Sequence, residues 1–190
     1  MRDTGVDEQS KLLRDLKQRA LALELDEFCR QHEGYYLLGQ LPAEDEDDWS
    51  FATDVQVFDD VPGRRSSKQA TSGGERLLWK VEKTDRNAWK RRVSVGRATN
   101  NDIIIRHHSI SKLHAHFLFG TLVKLRHLSP SADLLLADVG SANGTSIDGR
   151  RLEPDETDPV YTGNRLVFGD VSCELLDAKA LYKKLRAIVL

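Results

Sequence analysis

Hydrophobic and polar positions follow three different rhythms along this chain. From Glu8 to about Gln31, Leu12, Leu16, Ala20 and Leu23 recur at spacings of three and four, and Leu13, Leu25, Phe28 and Cys29 widen the stripe. That period predicts one amphipathic helix. Its apolar face has to cover something, and "GYYLLGQL" at 34–41 offers a seat on its own chain, the alternative being a docking helix for a partner. From Leu77 onward the rhythm shortens to "LLWKVEK", "RRVSVGR", "DIIIR", "LHAHFLF", "LVKLRHL", "DLLLADV", "TSIDG", "RLVFG" and "VSCELL", separated by "TDRN", "TNND", "SPSAD", "GSANG", "PDETD" and "TGN". Many short strands between turn signals predict an all-β sandwich or barrel. The tail "DAKALYKKLRAI" returns to helix periodicity. Asp177 is placed to N-cap it, Leu181, Leu185 and Ile188 share a face, and Lys183, Lys184 and Arg186 suit the C-terminal dipole. That helix is expected to seal one end of the sandwich.

The middle segment follows neither rhythm. Residues 41 to 60 hold eight acids and no Lys or Arg, interrupted by "WSFATDVQVF", a candidate short strand or docking segment, and "PGRRSSKQATSGG" at 62–74 has the composition of a flexible linker. The expected organisation is therefore an N-terminal helix region at 1–40, an acidic segment and linker at 41–75, a β-domain at 76–176 and a C-terminal helix at 177–190.

Composition narrows the function class. The net charge of −2 over 190 residues gives no global field for nucleic acid or a membrane surface. No run approaches the length of a membrane span, and the polar N-terminus does not read as a secretion signal, so the expectation is cytoplasmic. Cys29 and Cys173 stand far apart in no metal or disulfide spacing and are expected as buried hydrophobes. Locally the balance differs: residues 90 to 112 carry six cations (Lys90, Arg91, Arg92, Arg97, Arg106, Lys112) against Asp102 alone. The extension either positions a partner or lays the acids at 44–48, opposed in charge, across this stretch to compete with an anionic ligand; unchanged affinity after deleting residues 1 to 75 would rule out competition.

Three turns draw notice: "VGR" at 95–97, "SISKLHA" at 109–115 and "GSANGTSIDG" at 140–149, each where a predicted strand meets small or polar residues. If they converge, Arg97, Ser111 and Lys112 bring a guanidinium, a hydroxyl and an ammonium to one place, a donor set that fits a phosphate.

"GR" at 96–97, "SISKLHAHF" at 109–117, "SANGTSIDG" at 141–149 and "GNRLVFGD" at 163–170, in that order, closely resemble the forkhead-associated (FHA) domain. The resemblance spans roughly residues 76 to 176. It implies an FHA-type β-sandwich of about eleven strands that binds phosphothreonine peptides through loops at one end, here followed by the C-terminal helix and preceded by the helical and acidic extension. It implies that Arg97, Ser111 and Lys112 contact the phosphate and that Asn143 holds the peptide backbone. It gives His114 a bracing role and Gly96, Gly144 and Thr145 a part in shaping the turns. One position departs from the pattern: Ala142 stands where many members carry a Thr or Ser hydroxyl that also bonds the phosphate.

Other chemistries fit less well. His114 and His116 alternate on a strand with His107 and His108 nearby, but spacing assures no third ligand, so no metal site and no cofactor are expected, and His107 and His108 read as solvated. A Ser111, His114, Asp138 hydrolase has the residue types but no nucleophile elbow, so no catalytic residues are expected. The basic segment has only Trp89 for stacking, which disfavours nucleic acid; Trp79 and Trp89 are expected in the core or edge of a first hairpin. The predicted function is a non-enzymatic phosphothreonine-peptide adaptor in serine/threonine kinase signalling, with threonine-phosphorylated proteins and kinase pathway components as partners; the alternative is a phosphate-independent protein–protein scaffold on the same fold.

Overall fold

The computed structural model describes residues 4–42, 76–119 and 134–188. The acidic run at 44–48, the "WSFATDVQVF" segment, the linker at 62–74, the strand expected from "LVKLRHL" and the "SPSAD" turn lie outside the described residues. Among the described residues no helix is long and apolar enough to cross a membrane.

Two β-sheets face each other. The first runs β2 (Arg76–Val81), β1 (Tyr35–Gln40), β11 (Val171–Asp177), β10 (Arg165–Phe168), β7 (Thr145–Ile147) and β8 (Arg150–Arg151). The second runs β4 (Ile103–Ile104), β3 (Arg92–Gly96), β5 (Ala115–Phe119), β6 (Leu134–Asp138) and β9 (Thr157–Val160). Between them lies a core in which Leu37, Trp79, Val95, Phe117, Leu136, Phe168 and Leu175 are all buried. Alternation puts these side chains inward, and removing them from water is the main force joining the sheets.

The sandwich begins earlier than its expected boundary at residue 76. β1 pairs antiparallel with both β11 and β2, in the interior of the six-stranded sheet. Its outward residues Tyr36 and Leu38, with Leu78 and Leu176 of the neighbouring strands, form a second core beneath the helices. Because both faces of β1 are covered, "YYLL" lacks the polar alternation of a half-exposed strand.

The single helix expected over 8–31 is two: α1 (Thr4–Ala22) and α2 (Leu25–Gln31). The chain turns at Leu23 and Glu24, where Glu24 is extended (φ −72°, ψ 158°) and the Tyr182 hydroxyl donates to the Leu23 carbonyl at 3.1 Å. This break lets Leu13, Leu16 and Ala20 of α1 and Phe28 of α2 bury in one cluster with Leu181, Tyr182 and Leu185 of α3 (Ala178–Ala187). The helices also clamp one another's ends: Lys17 Nζ donates to the Ile188 carbonyl (2.6 Å) and Arg186 to that of Ala20 (3.1 Å). The amphipathic stripe thus covers its own chain. Asp177 caps α3 by accepting from the Ala180 N–H at 2.7 Å. However, α3 lies with α1 and α2 over the outer face of the first sheet instead of sealing an end of the sandwich.

Smaller expectations shift as well. Trp79 is buried and donates to the Ile104 carbonyl at 2.9 Å, whereas Trp89 is exposed. They share no hairpin, because β2 and β3 belong to opposite sheets. Cys173 is buried, and burial pushes its thiol up to about 12; Cys29 is only partly covered.

Candidate functional site

Register brings the three turns together. Val95 of β3 pairs with Ala115 of β5, and Ala115 with Asp138 of β6, so this one row crosses three neighbouring strands. The turn carrying Arg97 leaves from one side of the row, "SISKL" enters it, and "GSANG" leaves from the other. Antiparallel pairing thereby puts residues from three distant stretches on the same edge of the second sheet.

Hydrogen bonds lock the turns to one another. The Arg97 N–H donates to the Ser111 carbonyl at 3.0 Å, and the Ala98 N–H and Asn101 Nδ2 donate to the Lys112 carbonyl at 3.2 and 2.7 Å. Gly96 makes this approach possible, because a Cβ there would lie 2.4 Å from the Lys112 carbonyl oxygen. The Ser111 hydroxyl oxygen accepts the Ala142 N–H at 3.0 Å, tying the second turn to the third. An oxygen that accepts in this way keeps its proton to donate. Arg97, Lys112, Ala142 and Asn143 are exposed around the partly covered Ser111.

His114 stands behind this rim, fully buried. Its Nδ1 accepts the Ser111 N–H at 3.1 Å, which places the ring proton on Nε2, and Nε2 donates to the Gly144 carbonyl at 3.1 Å. Burial holds the imidazole below its usual pKa against the opposing pull of the Gly144 carbonyl and Asp138. A neutral ring of fixed tautomer therefore couples two turns. Both nitrogens are engaged with backbone, and the Ser111 oxygen is held by Ala142, so Ser111, His114 and Asp138 do not form a nucleophilic relay.

Asp138 has a different task. Oδ1 accepts the Gly140 and Ser141 N–H groups, each at 2.8 Å, and Oδ2 accepts the hydroxyls of Ser141 (2.7 Å) and Thr145 (2.6 Å). Burial alone would raise its carboxyl, but hydrogen bonds from Thr145, Ser141 and Gly140 outweigh that and hold it low. The Ser141 hydroxyl in turn accepts the Gly144 N–H at 2.9 Å. Gly144 adopts φ +81°, and a Cβ there would strike the Arg151 guanidinium at 2.5 Å. Asn143 is exposed on this loop, and its Nδ2 donates to the Ser109 carbonyl at 2.8 Å.

Sequence reasoning missed three supports: Asp138 as a loop anchor, Asn101 as the tie beneath Lys112, and Ser109. "DVGS" carries an Asx-turn signal that pointed to the first. The histidines separate by environment. His107, expected to be solvated, is buried, with Nδ1 at 2.8 Å from the Ser109 hydroxyl. His116 is buried beside Arg92 and the edge of Trp89, away from the partners of His114.

The sequence pattern of the FHA domain matches residues 93–169, the stretch that holds all three turns. The chain carries an FHA domain. Among solved structures, it is similar to an FHA domain from Chlamydia trachomatis, at 19% identity over 76% of this chain and 98% of that one, with a TM-score of 0.41. It is also similar to EmbR of Mycobacterium tuberculosis in complex with a low-affinity phosphopeptide, at 12% identity over 76% of this chain and 24% of that one, TM-score 0.41. A third is the MEK1 FHA domain with a HOP1 phosphothreonine peptide, at 21% identity over 46% of this chain and 80% of that one, TM-score 0.37. No curated protein matches the chain. Here the FHA domain is built together with β1 and the three helices, which lie outside the matched residues.

Proposed function

We propose that the chain is a non-enzymatic phosphothreonine-peptide adaptor whose phosphate seat is the edge where the three turns meet. Arg97 supplies a planar fork of donors, Lys112 a point charge and Ser111 a hydroxyl proton, while Asn143 addresses the peptide backbone through its carboxamide. Gly96, His114, Gly144 and Thr145 support them through the bonds already described. The observation that carries the reading is the double role of Ser111: its carbonyl holds Arg97, and its hydroxyl holds Ala142. One residue thus joins all three turns, and the FHA resemblance supports reading this edge as the phosphothreonine seat. A phosphate that brings about −1.5 to −2 charges suits exposed cations on fixed backbone. Within this reading the protein works in the cytoplasm, linking threonine-phosphorylated proteins in serine/threonine kinase signalling.

Ala142 favours a second reading. It offers its N–H to Ser111 but no hydroxyl to a ligand, which leaves room for a phosphate-independent scaffold. Calorimetry with one threonine peptide, phosphorylated and unphosphorylated, separates the two. The adaptor reading expects binding of the phosphorylated form alone and at least a tenfold loss in Arg97→Ala, about 1.4 kcal/mol. Equal binding of both peptides would establish the scaffold instead.

A further inference from the structure

A second cluster lies on the far side of Ser109. His107, His108 and Asp170 each offer a ligand atom, and these atoms all lie within 4.8 Å of one another. His107 and His108 are adjacent, with ring centroids 4.2 Å apart. Asp170 comes from the turn between β10 and β11, 61 residues after Ser109 in the chain. Spacing could not supply this third ligand; folding does.

Ser109 fixes the arrangement from behind. Its hydroxyl accepts the Asp170 N–H at 3.0 Å and lies 2.8 Å from His107 Nδ1, while its own N–H points at that nitrogen at 3.3 Å. The turn at Gly169 presses on the same residue, since a Cβ at 169 would meet the Ser109 carbonyl at 2.6 Å. The loop bearing the two imidazoles and the turn bearing the carboxylate are therefore clamped together. His107 is buried, whereas His108 and Asp170 are exposed, which gives one fixed ligand and two adjustable ones.

We infer that His107, His108 and Asp170 form a site for a divalent transition-metal ion of the zinc class, with a fourth position open to water. Two imidazoles and a carboxylate are a donor set that such ions accept at about 2.0–2.2 Å in tetrahedral geometry. That geometry brings the ligand atoms to about 3.3 Å from one another, so His108 and Asp170 close around the ion by rotating exposed side chains. The Ser109 hydroxyl, 2.8 Å from His107 Nδ1, orients the buried ring within the cluster. Metal-binding histidines are oriented by such a partner. The proposal does not depend on phosphopeptide binding.

Titration of the full chain with zinc chloride by calorimetry tests it, with ring-nitrogen NMR of the histidines as a second readout. The expected result is one equivalent bound, at least tenfold weaker binding in both His108→Ala and Asp170→Asn, and zinc-dependent shifts of the His107 ring nitrogens. Both substituted positions are exposed, and each variant is first shown to melt like the parent without zinc. An absence of saturable binding, undiminished binding in both variants, or a His107 ring unmoved by zinc would each overturn the assignment.

Discussion

Replacing Asp102 by Asn should cost this protein a large part of its stability. Asp102 is the one acid in the basic stretch, and its side chain is fully buried. Oδ1 accepts from Lys83 Nζ (2.6 Å), the Thr84 N–H (2.9 Å) and the Thr84 hydroxyl (2.7 Å). Oδ2 accepts from Asn87 Nδ2 (3.1 Å), the Ser94 N–H (2.9 Å) and the Ser94 hydroxyl (2.9 Å). An amide keeps one acceptor and turns an NH2 toward the other set. The Thr84 hydroxyl can rotate to accept, but the Ser94 oxygen already accepts the Asp102 N–H and Asn87 Nδ2, and the ammonium and N–H groups can only donate. Whichever way the amide lies, at least two bonds to the former carboxylate are lost, although Lys83 keeps the Thr84 carbonyl and Asn87 Oδ1 and Asn87 keeps the Asn100 carbonyl, and at about 1.5–3 kcal/mol for each bond to a charged partner the loss is roughly 3–6 kcal/mol. Against a typical total of about 5–15 kcal/mol, the variant still folds but at markedly lower urea.

Urea denaturation at neutral pH measures the difference, with exposed Asp85→Asn as a control expected to shift by no more than about 0.5 kcal/mol. Acid adds a second arm. Burial alone would raise the Asp102 carboxyl, but the bonds from Lys83, Ser94 and Thr84 outweigh it and hold the group well below the usual carboxylate range. Its stabilisation is complete above the unfolded value near about 3.9 and fades as pH falls below that. Asp102→Asn should lack this limb. A neutral-pH loss under about 1 kcal/mol, or an unchanged acid limb, would refute the reasoning.

Other expectations follow from single contacts. Burial and then the Arg92 charge push His116 down to about 4, so the unfolded chain takes a proton near about 6.5 that the folded chain refuses; stability should fall between those values by up to roughly 3 kcal/mol, and thermal melts of His116→Gln should show a flatter profile. Phe28 is fully buried and lies 5.3 Å from the Tyr182 ring, so Phe28→Ala should lower the main denaturation transition by about 3–5 kcal/mol, whereas an appended helix that melts on its own would leave that transition unmoved. Ala142→Thr, at an exposed position, restores the missing hydroxyl and should tighten phosphothreonine-peptide binding about tenfold by calorimetry, since a bond to a charged group is worth about 1.5–3 kcal/mol; no gain would mean the loop cannot aim it at the phosphate.

What the sequence disclosed follows from how local each signal is. β3 and β5 were legible because Val93, Val95, Ala115 and Phe117 face one core while their neighbours do not. β1 was not, because Tyr36, Leu37 and Leu38 serve two cores at once and lose the alternation that marks a strand. The break between α1 and α2 was hidden because no proline or glycine causes it; the demand to bury Phe28 against α3 does. At the candidate site, the order of the motifs named Arg97, Ser111, Lys112 and Asn143, but their supports were harder to see. Asp102 gathers donors from eight to nineteen residues away in the sequence. His107 looked like a turn residue until Ser109 and Asp170 closed over it.

The position of β1 changes what can be cut from this molecule. A fragment drawn to the matched stretch, or one missing the first 75 residues, would not be a lighter version of the same binding unit. The first would lack β1, β2, β11 and all three helices; the second would leave β11 with an open flank, separate β2 from the sheet it completes, and turn Leu78, Leu176 and Leu185 out to water. Bare strand flanks and a wet apolar face recruit other chains. Such a truncation would be expected to precipitate, and any change in ligand affinity it showed would report lost architecture, not relief from the acidic segment.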